Sequence, residues 1–226
     1  MNGDGAPDLA IAGTLSSGGT VDVAVNTGGG TFAPAVGNAI GGGLYAIAPA
    51  DLDGDGDTDL VVAGVVGGLF VLLNHGDATF APATLYAVST PKAVAIGDLD
   101  GDGRPDLAVA HGSAVAVLRN AGGGSFASPF DVAVDAAGDD ALEDAFSVAV
   151  ADLDGDGRLD IAVTSQLQPN VHVLRNLGGG QFAAPIDFPA GNQARSLAVD
   201  DVDGDGRPDI VVAGLNGVSV LINDGR

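Results

Sequence analysis

The sequence predicts an all-β protein built from repeated four-stranded antiparallel sheets. Two markers recur along the 226 residues at nearly constant spacing, and short apolar runs rich in β-branched residues separate them. Gly, Asn, Asp and Pro bound these runs, which is typical of strands. Glycines interrupt every stretch that is long enough for a helix, so a helical period is not supported.

The first marker is the acidic phrase DxDGDGxxD, called the Asp-rich loop below, with its residues numbered as positions 1 to 9. Its copies begin at Asp51, Asp98, Asp152 and Asp201, which are 47, 54 and 49 residues apart. MNGDGAPD at the N-terminus matches the same pattern without the first acid. We therefore expect the chain to start inside a repeat.

The second marker is an Asn-x-Gly turn with a Phe four residues after the glycine. Its asparagines, called the marker asparagines below, are Asn26, Asn74, Asn120 and Asn176, and NDGR at Asn223 begins a fifth copy. The phenylalanines, Phe32, Phe80, Phe126 and Phe182, share one slot of the repeat. We interpret them as wedges that pack between neighbouring sheets.

Each repeat contains four predicted strands. Strand A precedes the Asp-rich loop, strand B follows it, strand C precedes the marker asparagine and strand D follows that marker. Strands B and C are apolar at almost every position, so both faces of each sheet are expected to be buried. Face-to-face four-stranded sheets at this period are typical of β-propeller blades, and a β-solenoid or tandem sandwich fits the repeat length less well.

We therefore predict a single β-propeller domain over residues 1–226. Its repeats cover about 1–50, 51–97, 98–151, 152–200 and 201–226, with the first and the last incomplete. We expect a piece of a larger propeller, and an incomplete ring leaves self-association possible.

Composition excludes several classes of partner. The formal net charge is −22 with only eight Lys and Arg, which excludes nucleic acid because phosphate binding requires a basic surface. No apolar run reaches the roughly 20 residues that a membrane-spanning helix needs, so membrane insertion is not expected. Cysteine is absent, which leaves neither disulfides nor thiolate metal sites.

The Asp-rich loop predicts a calcium site. Carboxylates at positions 1, 3, 5 and 9 can gather around one point with the carbonyl of position 7, because the glycines at positions 4 and 6 permit left-handed turns. Ligands that are all oxygen, on a flexible loop, favour Ca²⁺ over Mg²⁺. A solvated acidic turn is the simpler alternative, but repeated like charges in one register disfavour it. An EF-hand is excluded because position 12 is a strand valine in place of glutamate.

Together the two markers resemble the FG-GAP or VCBS repeats of the integrin α-subunit propeller, over nearly the whole chain. The resemblance implies calcium in each A-to-B loop. The implied ligands are Asp51, Asp53, Asp55, Asp59 and the Asp57 carbonyl; Asp98, Asp100, Asp102, Asp106 and the Arg104 carbonyl; Asp152, Asp154, Asp156, Asp160 and the Arg158 carbonyl; and Asp201, Asp203, Asp205, Asp209 and the Arg207 carbonyl. The first copy keeps Asn2, Asp4, Asp8 and the Ala6 carbonyl but lacks position 1.

Loop lengths direct the search for a ligand site. From position 9 to the marker asparagine the distances are 18, 15, 14, 16 and 14 residues, and an acidic insertion at 135–144 lengthens one D-to-A connection. In an up-and-down sheet these connections share the face opposite the Asp-rich loops, where variable loops commonly carry recognition. Candidate contacts on that face are Ser16, Ser17, Tyr45, Tyr86, His111, Gln168, Asn170 and Arg195.

These observations predict a calcium-stabilised, non-enzymatic recognition or adhesion module that is extracellular or on the cell surface and binds a protein or a glycan. The alternative is a lectin or a fragment of a carbohydrate-active enzyme of the polysaccharide-lyase type. His75, His111 and His172 occupy different places in their repeats and form no catalytic motif. We therefore expect no catalytic residues.

Overall fold

A computed structural model describes residues 1–15, 18–65, 68–134, 145–165, 168–191 and 193–225. Within these ranges the secondary structure is entirely β. The strands are β1 (Leu9–Leu15), β2 (Gly18–Ala24), β3 (Asn26–Gly28), β4 (Thr31–Phe32), β5 (Val36–Ala39), β6 (Leu44–Ala50), β7 (Asp59–Gly64), β8 (Gly68–Leu72), β9 (Thr84–Tyr86), β10 (Pro91–Gly97), β11 (Asp106–His111), β12 (Ala114–Leu118), β13 (Asn120–Gly122), β14 (Ser125–Phe126), β15 (Phe130–Ala133), β16 (Ala145–Ala151), β17 (Asp160–Ser165), β18 (Asn170–Leu174), β19 (Asn176–Gly178), β20 (Gln181–Phe182), β21 (Ile186–Pro189), β22 (Ala194–Asp200), β23 (Asp209–Gly214) and β24 (Gly217–Leu221).

The longer strands form five antiparallel sheets that follow one another along the chain. Their strand orders are β1-β2-β5, β6-β7-β8-β9, β10-β11-β12-β15, β16-β17-β18-β21 and β22-β23-β24. The three complete sheets have the predicted order A-B-C-D. In the described residues the first sheet has strands B, C and D, and the fifth has A, B and C. The all-β blade prediction is confirmed.

The A strands of sheets two to five are the innermost strands. β6, β10, β16 and β22 each contact the A strand of the neighbouring sheet, so the sheets converge along this side. Their many alanines suit this convergence, because small side chains let neighbouring backbones approach.

The apolar cores lie between consecutive sheets. Val21 and Val23 on strand C of the first sheet pack against Leu60 and Val62 on strand B of the second, and all four are essentially inaccessible to solvent. Alternate residues of strand B of the second sheet point to its other side, where they share a core with Leu69 of strand C and with the third sheet. This two-sided burial explains why strands B and C are apolar without alternation.

Antiparallel connectivity divides the turns between two edges. The Asp-rich loops and the marker turns share one edge, called the loop face, while the B-to-C and D-to-A connections share the other, called the opposite face. None of the described residues forms a helix long and apolar enough to cross a bilayer.

Candidate functional site

Each of the four complete Asp-rich loops brings three carboxylates together. Within each loop, one carboxylate oxygen from each of positions 1, 3 and 9 lies within 4.8 Å of the other two. The sets are Asp51, Asp53 and Asp59; Asp98, Asp100 and Asp106; Asp152, Asp154 and Asp160; and Asp201, Asp203 and Asp209. Three anionic oxygens at this spacing form the donor set of a hard divalent cation.

Position 1 shapes the loop through its backbone. In the third repeat one carboxylate oxygen of Asp98 accepts the Gly101 N–H at 2.8 Å, and the other accepts the Gly103 N–H at 2.9 Å. Both glycines lie at positive φ, at 83° and 86°, which L side chains rarely adopt. In the fifth repeat, hydrogen bonds from Gly206 and Gly204 lower the pKa of the Asp201 carboxyl. The turns predicted for positions 4 and 6 are present and aim N–H groups at an anion.

Position 9 is a buried acid that ties two turns together. Asp59 is fully buried, and its oxygens accept the N–H of Leu52 at 2.8 Å and the N–H of marker Asn74 at 2.7 Å. Burial raises the pKa of Asp59, Asp106 and Asp160, and nearby carboxylates of the same loop raise it further, against the lowering effect of these N–H donors. A bound cation would offset both raising effects, because it favours the ionised form.

Position 5 lies outside the three-carboxylate group. In three loops its carboxylate pairs with the guanidinium of the arginine at position 7, as Asp102 does with Arg104. The Arg104 Nε also donates to the carbonyl of marker Asn120 at 2.9 Å. The second repeat has Asp57 at position 7 and carries no such cation in its loop. The structure thus gathers three of the four predicted carboxylates, and ligation by position 5 and by the position 7 carbonyl stays a prediction.

The first copy has different chemistry. The Asn2 side-chain amide donates to Asp4 at 2.9 Å, and Asp8 keeps the position 9 role by accepting the Asn26 N–H at 2.7 Å. Among the described residues no group of three carboxylates forms there. A site formed by Asn2, Asp4, Asp8 and the Ala6 carbonyl stays a prediction.

The marker asparagines connect neighbouring sheets, a role that the sequence did not reveal. The Nδ2 of Asn120 donates to the carbonyl of Leu52, at position 2 of the preceding loop, at 2.8 Å. It also donates to Pro105 in its own loop at 3.1 Å. The same inter-sheet bond, at 2.7 or 2.8 Å, joins Asn74 to Met1, Asn176 to Leu99 and Asn223 to Leu153. The N-terminal copy and the first three complete Asp-rich loops are therefore each bonded to the next sheet.

The marker phenylalanines pack between sheets, as predicted. Phe126 is buried with Leu52 and Leu107 in the core between the second and third sheets. Phe80 and Phe182 contact the equivalent cores on either side, whereas Phe32 of the first sheet is 41% exposed.

The opposite face carries part of the predicted ligand contacts. Tyr45 and Arg195 are exposed, and Gln168 and Asn170 are half-buried. The Tyr86 hydroxyl accepts the Phe126 N–H at 3.0 Å, so this side chain serves an internal contact between two sheets. Ser16, Ser17 and the acidic insertion at 135–144 lie outside the described residues.

A cavity of about 340 Å³ lies between the second and third sheets near the opposite face. Ala87, Val88 and Ser89 line it from one sheet, and His111, Ala116, Pro129 and Asp131 line it from the next. The His111 Nε2 lies 3.0 Å from a carboxylate oxygen of Asp131, which is 61% exposed. The cavity therefore combines a polar pair with small apolar side chains.

The other histidines lie elsewhere. His75 is exposed on a marker turn of the loop face. His172 is buried within β18, and its Nδ1 lies 2.7 Å from Asp187. The structure thus brings no two histidines of the described residues into one site.

Fold and loops together define a β-propeller whose blades carry Asp-rich loops on one face. The chain belongs to the FG-GAP-like repeat family, whose profile matches residues 1–62, 51–109, 98–163 and 160–212. No curated protein sequence matches the chain significantly.

Solved structures support the propeller assignment. An Agrocybe aegerita lectin that recognises non-reducing terminal N-acetylglucosamine is 28% identical with a TM-score of 0.64, over 97% of this chain and 63% of the lectin. A Penicillium chrysogenum α-L-arabinanase complexed with arabinobiose is 15% identical with a TM-score of 0.59, over 95% of this chain and 70% of the enzyme. BBS1N, solved in complex with ARL6DN, is 20% identical with a TM-score of 0.57, over 80% of this chain and 53% of the matched chain. The chain spans less than two thirds of the lectin.

Proposed function

We propose that this protein is a calcium-stabilised, non-catalytic recognition module of the cell exterior that binds a glycan through its opposite face. The observation that carries the proposal is the separation of two kinds of site. Acidic clusters that fit a cation recur on the loop face, and a cavity with a polar pair opens near the opposite face.

The donor chemistry of the loops supports calcium. Three carboxylates converge in every complete loop, and two of them are already held by backbone N–H groups. Residues at positions 1, 3 and 9 would hold the ion, which would supply the positive charge that these clustered acids lack. Because the loops sit at the joins between sheets, the ion would stabilise the propeller and leave the opposite face free.

The cavity beside His111 supports a glycan ligand. Sugars present hydroxyl groups and an apolar C–H face, so they bind where a few polar groups adjoin apolar surface. His111 and Asp131 supply the polar pair, Ser89 adds a hydroxyl, and Val88 and Pro129 supply apolar surface. The 28% identity with a lectin over almost the whole chain favours a glycan over a protein ligand.

A glycan array with calcium present tests this proposal, followed by titration calorimetry on each hit. We expect His111→Ala and Asp131→Asn each to weaken binding by about tenfold or more, which is the cost of one lost charged hydrogen bond. The matched control is His75→Ala on the loop face, which should bind like the unmodified protein.

Chromatography of each hit after incubation tests the absence of catalysis. Intact glycan is the expected result, and cleavage products would favour the enzyme alternative. An array without any hit, or binding that ignores both cavity substitutions, would contradict the proposed glycan site.

A further inference from the structure

One position on strand C, called the ring slot below, faces the preceding sheet and differs in size between the three complete sheets. It lies four residues before the marker asparagine. The ring-slot residues are Phe70, Ala116 and His172, and their strand D neighbours are Leu85, Asp131 and Asp187. Two of the three sheets thus place an aromatic ring in the slot, and the third sheet places a methyl group there.

The second and fourth sheets fill the ring slot with a side chain. Phe70 packs against the core between the first and second sheets. It has room because Gly64 ends strand B beside it, where a Cβ would lie 2.9 Å from the Phe70 ring. His172 is 4% exposed, and its Nδ1 lies 2.7 Å from a carboxylate oxygen of Asp187. Leu174, two residues further along the strand, lies in the core shared with the third sheet, so His172 faces the same way.

The third sheet carries its ring at the end of strand B instead. His111 occupies the place of Gly64, five residues after position 9, and Ala116 leaves the ring slot without a ring. The cavity between the second and third sheets lies against Ala116, and the His111 and Asp131 pair forms its polar wall. The cavity therefore lies where ring side chains lie in the sheets on either side.

The size and the lining of this cavity match one sugar ring. Its volume of about 340 Å³ is at the small end of ligand pockets, which span about 300 to 1,000 Å³, so it holds a single ring. Val88 and Ala116 supply apolar surface for one face of that ring. The Asp131 carboxylate, which is 61% exposed, can accept hydrogen bonds from hydroxyl groups at the edge of the ring.

We propose that Ala116 is the specificity-determining residue of the glycan site, because a single pyranose ring takes the place that Phe70 and His172 fill in the neighbouring sheets. This inference rests on the proposed glycan-binding function and names the part of the ligand that enters the cavity. An apolar face of the sugar contacts Ala116, and its hydroxyl groups meet Asp131 and His111. Among the three complete sheets only the third then offers such a site, so we expect one sugar per chain.

Added volume at Ala116 tests the proposal. Calorimetry measures binding of the methyl glycosides of glucose, galactose, mannose and N-acetylglucosamine to the chain with calcium present. At least one of them should bind the unmodified chain. Ala116→Val should weaken that binding by at least about tenfold and Ala116→Leu by at least about a hundredfold, because the cavity loses volume while His111 and Asp131 remain. Ala121→Leu is the matched control, since Ala121 is exposed on a marker turn of the loop face and the variant should bind like the parent.

Urea unfolding at saturating calcium shows, without any ligand, whether the space beside Ala116 is open. Ala116→Leu should keep or raise the urea midpoint, because the larger side chain enters an existing cavity. Ala108→Leu should lower the midpoint, since Ala108 is fully buried in the core between the third and fourth sheets and the larger side chain overpacks it. A midpoint that falls as far for Ala116→Leu as for Ala108→Leu would overturn the proposal.

The fourth sheet allows the arrangement to be transferred. Ser165 stands in the place of His111, so Ser165→His together with His172→Ala copies the third sheet and keeps Asp187. The double variant should bind two sugars per chain, and circular dichroism confirms that it is folded. One sugar per chain in the folded double variant, or unchanged binding by Ala116→Leu, would overturn this proposal and leave the glycan function standing. Array hits without binding of any of the four methyl glycosides would do the same, whereas an array without hits would overturn both.

Discussion

The two faces of the propeller differ in how strictly the repeats agree. On the loop face, the four complete Asp-rich loops keep one length, and position 9 always accepts two backbone N–H groups. On the opposite face, the B-to-C connections vary in length and only some repeats carry polar side chains such as His111.

The two faces also differ in the contacts that their acids make. On the loop face, carboxylates accept hydrogen bonds from backbone N–H groups, and the acids at position 9 are buried. At the opposite face the Asp131 carboxylate is mostly exposed and holds only His111 among the described residues. Acids of the same type are therefore clustered or buried on one face and exposed on the other.

Removing calcium is expected to have the largest effect, because it acts on every loop at once. With a dissociation constant of about 10⁻⁴ M, as in extracellular calcium modules, millimolar calcium stabilises the fold by about 1.4 kcal/mol per loop. Four loops give about 5 to 6 kcal/mol, comparable with the whole stability of a domain. Urea unfolding followed by circular dichroism, with calcium or with EDTA, measures the loss.

Magnesium in place of calcium is the control for that experiment and should restore less stability, since it demands a stricter octahedron. Identical unfolding curves with calcium and EDTA would show that the loops are solvated acidic turns.

An intermediate effect is expected from Asn120→Ala. The substitution leaves the Leu52 and Pro105 carbonyls without their side-chain donor, and a lost partner costs roughly 1 to 3 kcal/mol for each buried group. Asn26→Ala is the matched comparison, because Asn26 bonds only one carbonyl, at an exposed site. Urea unfolding at saturating calcium measures both, and equal losses would show that the inter-sheet bond adds nothing to stability.

The smallest effect on stability is expected from Arg104→Gln. Its pair with Asp102 is half-exposed, and such pairs contribute about 0 to 1 kcal/mol, while its Nε bond to the Asn120 carbonyl contributes about 0.5 to 1.5 kcal/mol. Removing the positive guanidinium from the loop should nevertheless tighten calcium binding there by roughly two- to fivefold, because up to about 1 kcal/mol of repulsion between the guanidinium and the calcium ion is lost. Calcium titration calorimetry measures the change. Arg195→Gln on β22 removes the same charge away from the loops and should leave the affinity unchanged; equal shifts in both variants would show a general effect of net charge.

The repeat pattern predicted most of the fold because the turn glycines and the apolar strands of every repeat indicated the same sheet. Glycines at positions 4 and 6 indicated the turns that Gly101 and Gly103 now show, and apolar strands B and C indicated burial on both faces. The Phe126 wedge was also predictable, because one slot carried phenylalanine in four copies.

Contacts between repeats were not predictable from one chain. The Asn120 amide reaches a carbonyl 68 residues earlier, and that distance depends on how two sheets dock. The Tyr86 hydroxyl likewise bonds the third sheet, although its sequence context suggested a ligand contact. Within the loop, pairing of Asp102 with Arg104 depends on side-chain reach, and only the recurrence of arginine at position 7 could have indicated it.

The inter-sheet bonds of the marker asparagines all point towards the N-terminus. Asn74, Asn120, Asn176 and Asn223 each donate to a carbonyl made earlier in synthesis, between 68 and 77 residues upstream. The acceptor of each inter-sheet bond is therefore synthesised before its donor, and the earlier loop gains the bond only when the next marker asparagine has been made. The asparagines thus give all four inter-sheet bonds one direction along the chain, from a later sheet to an earlier loop.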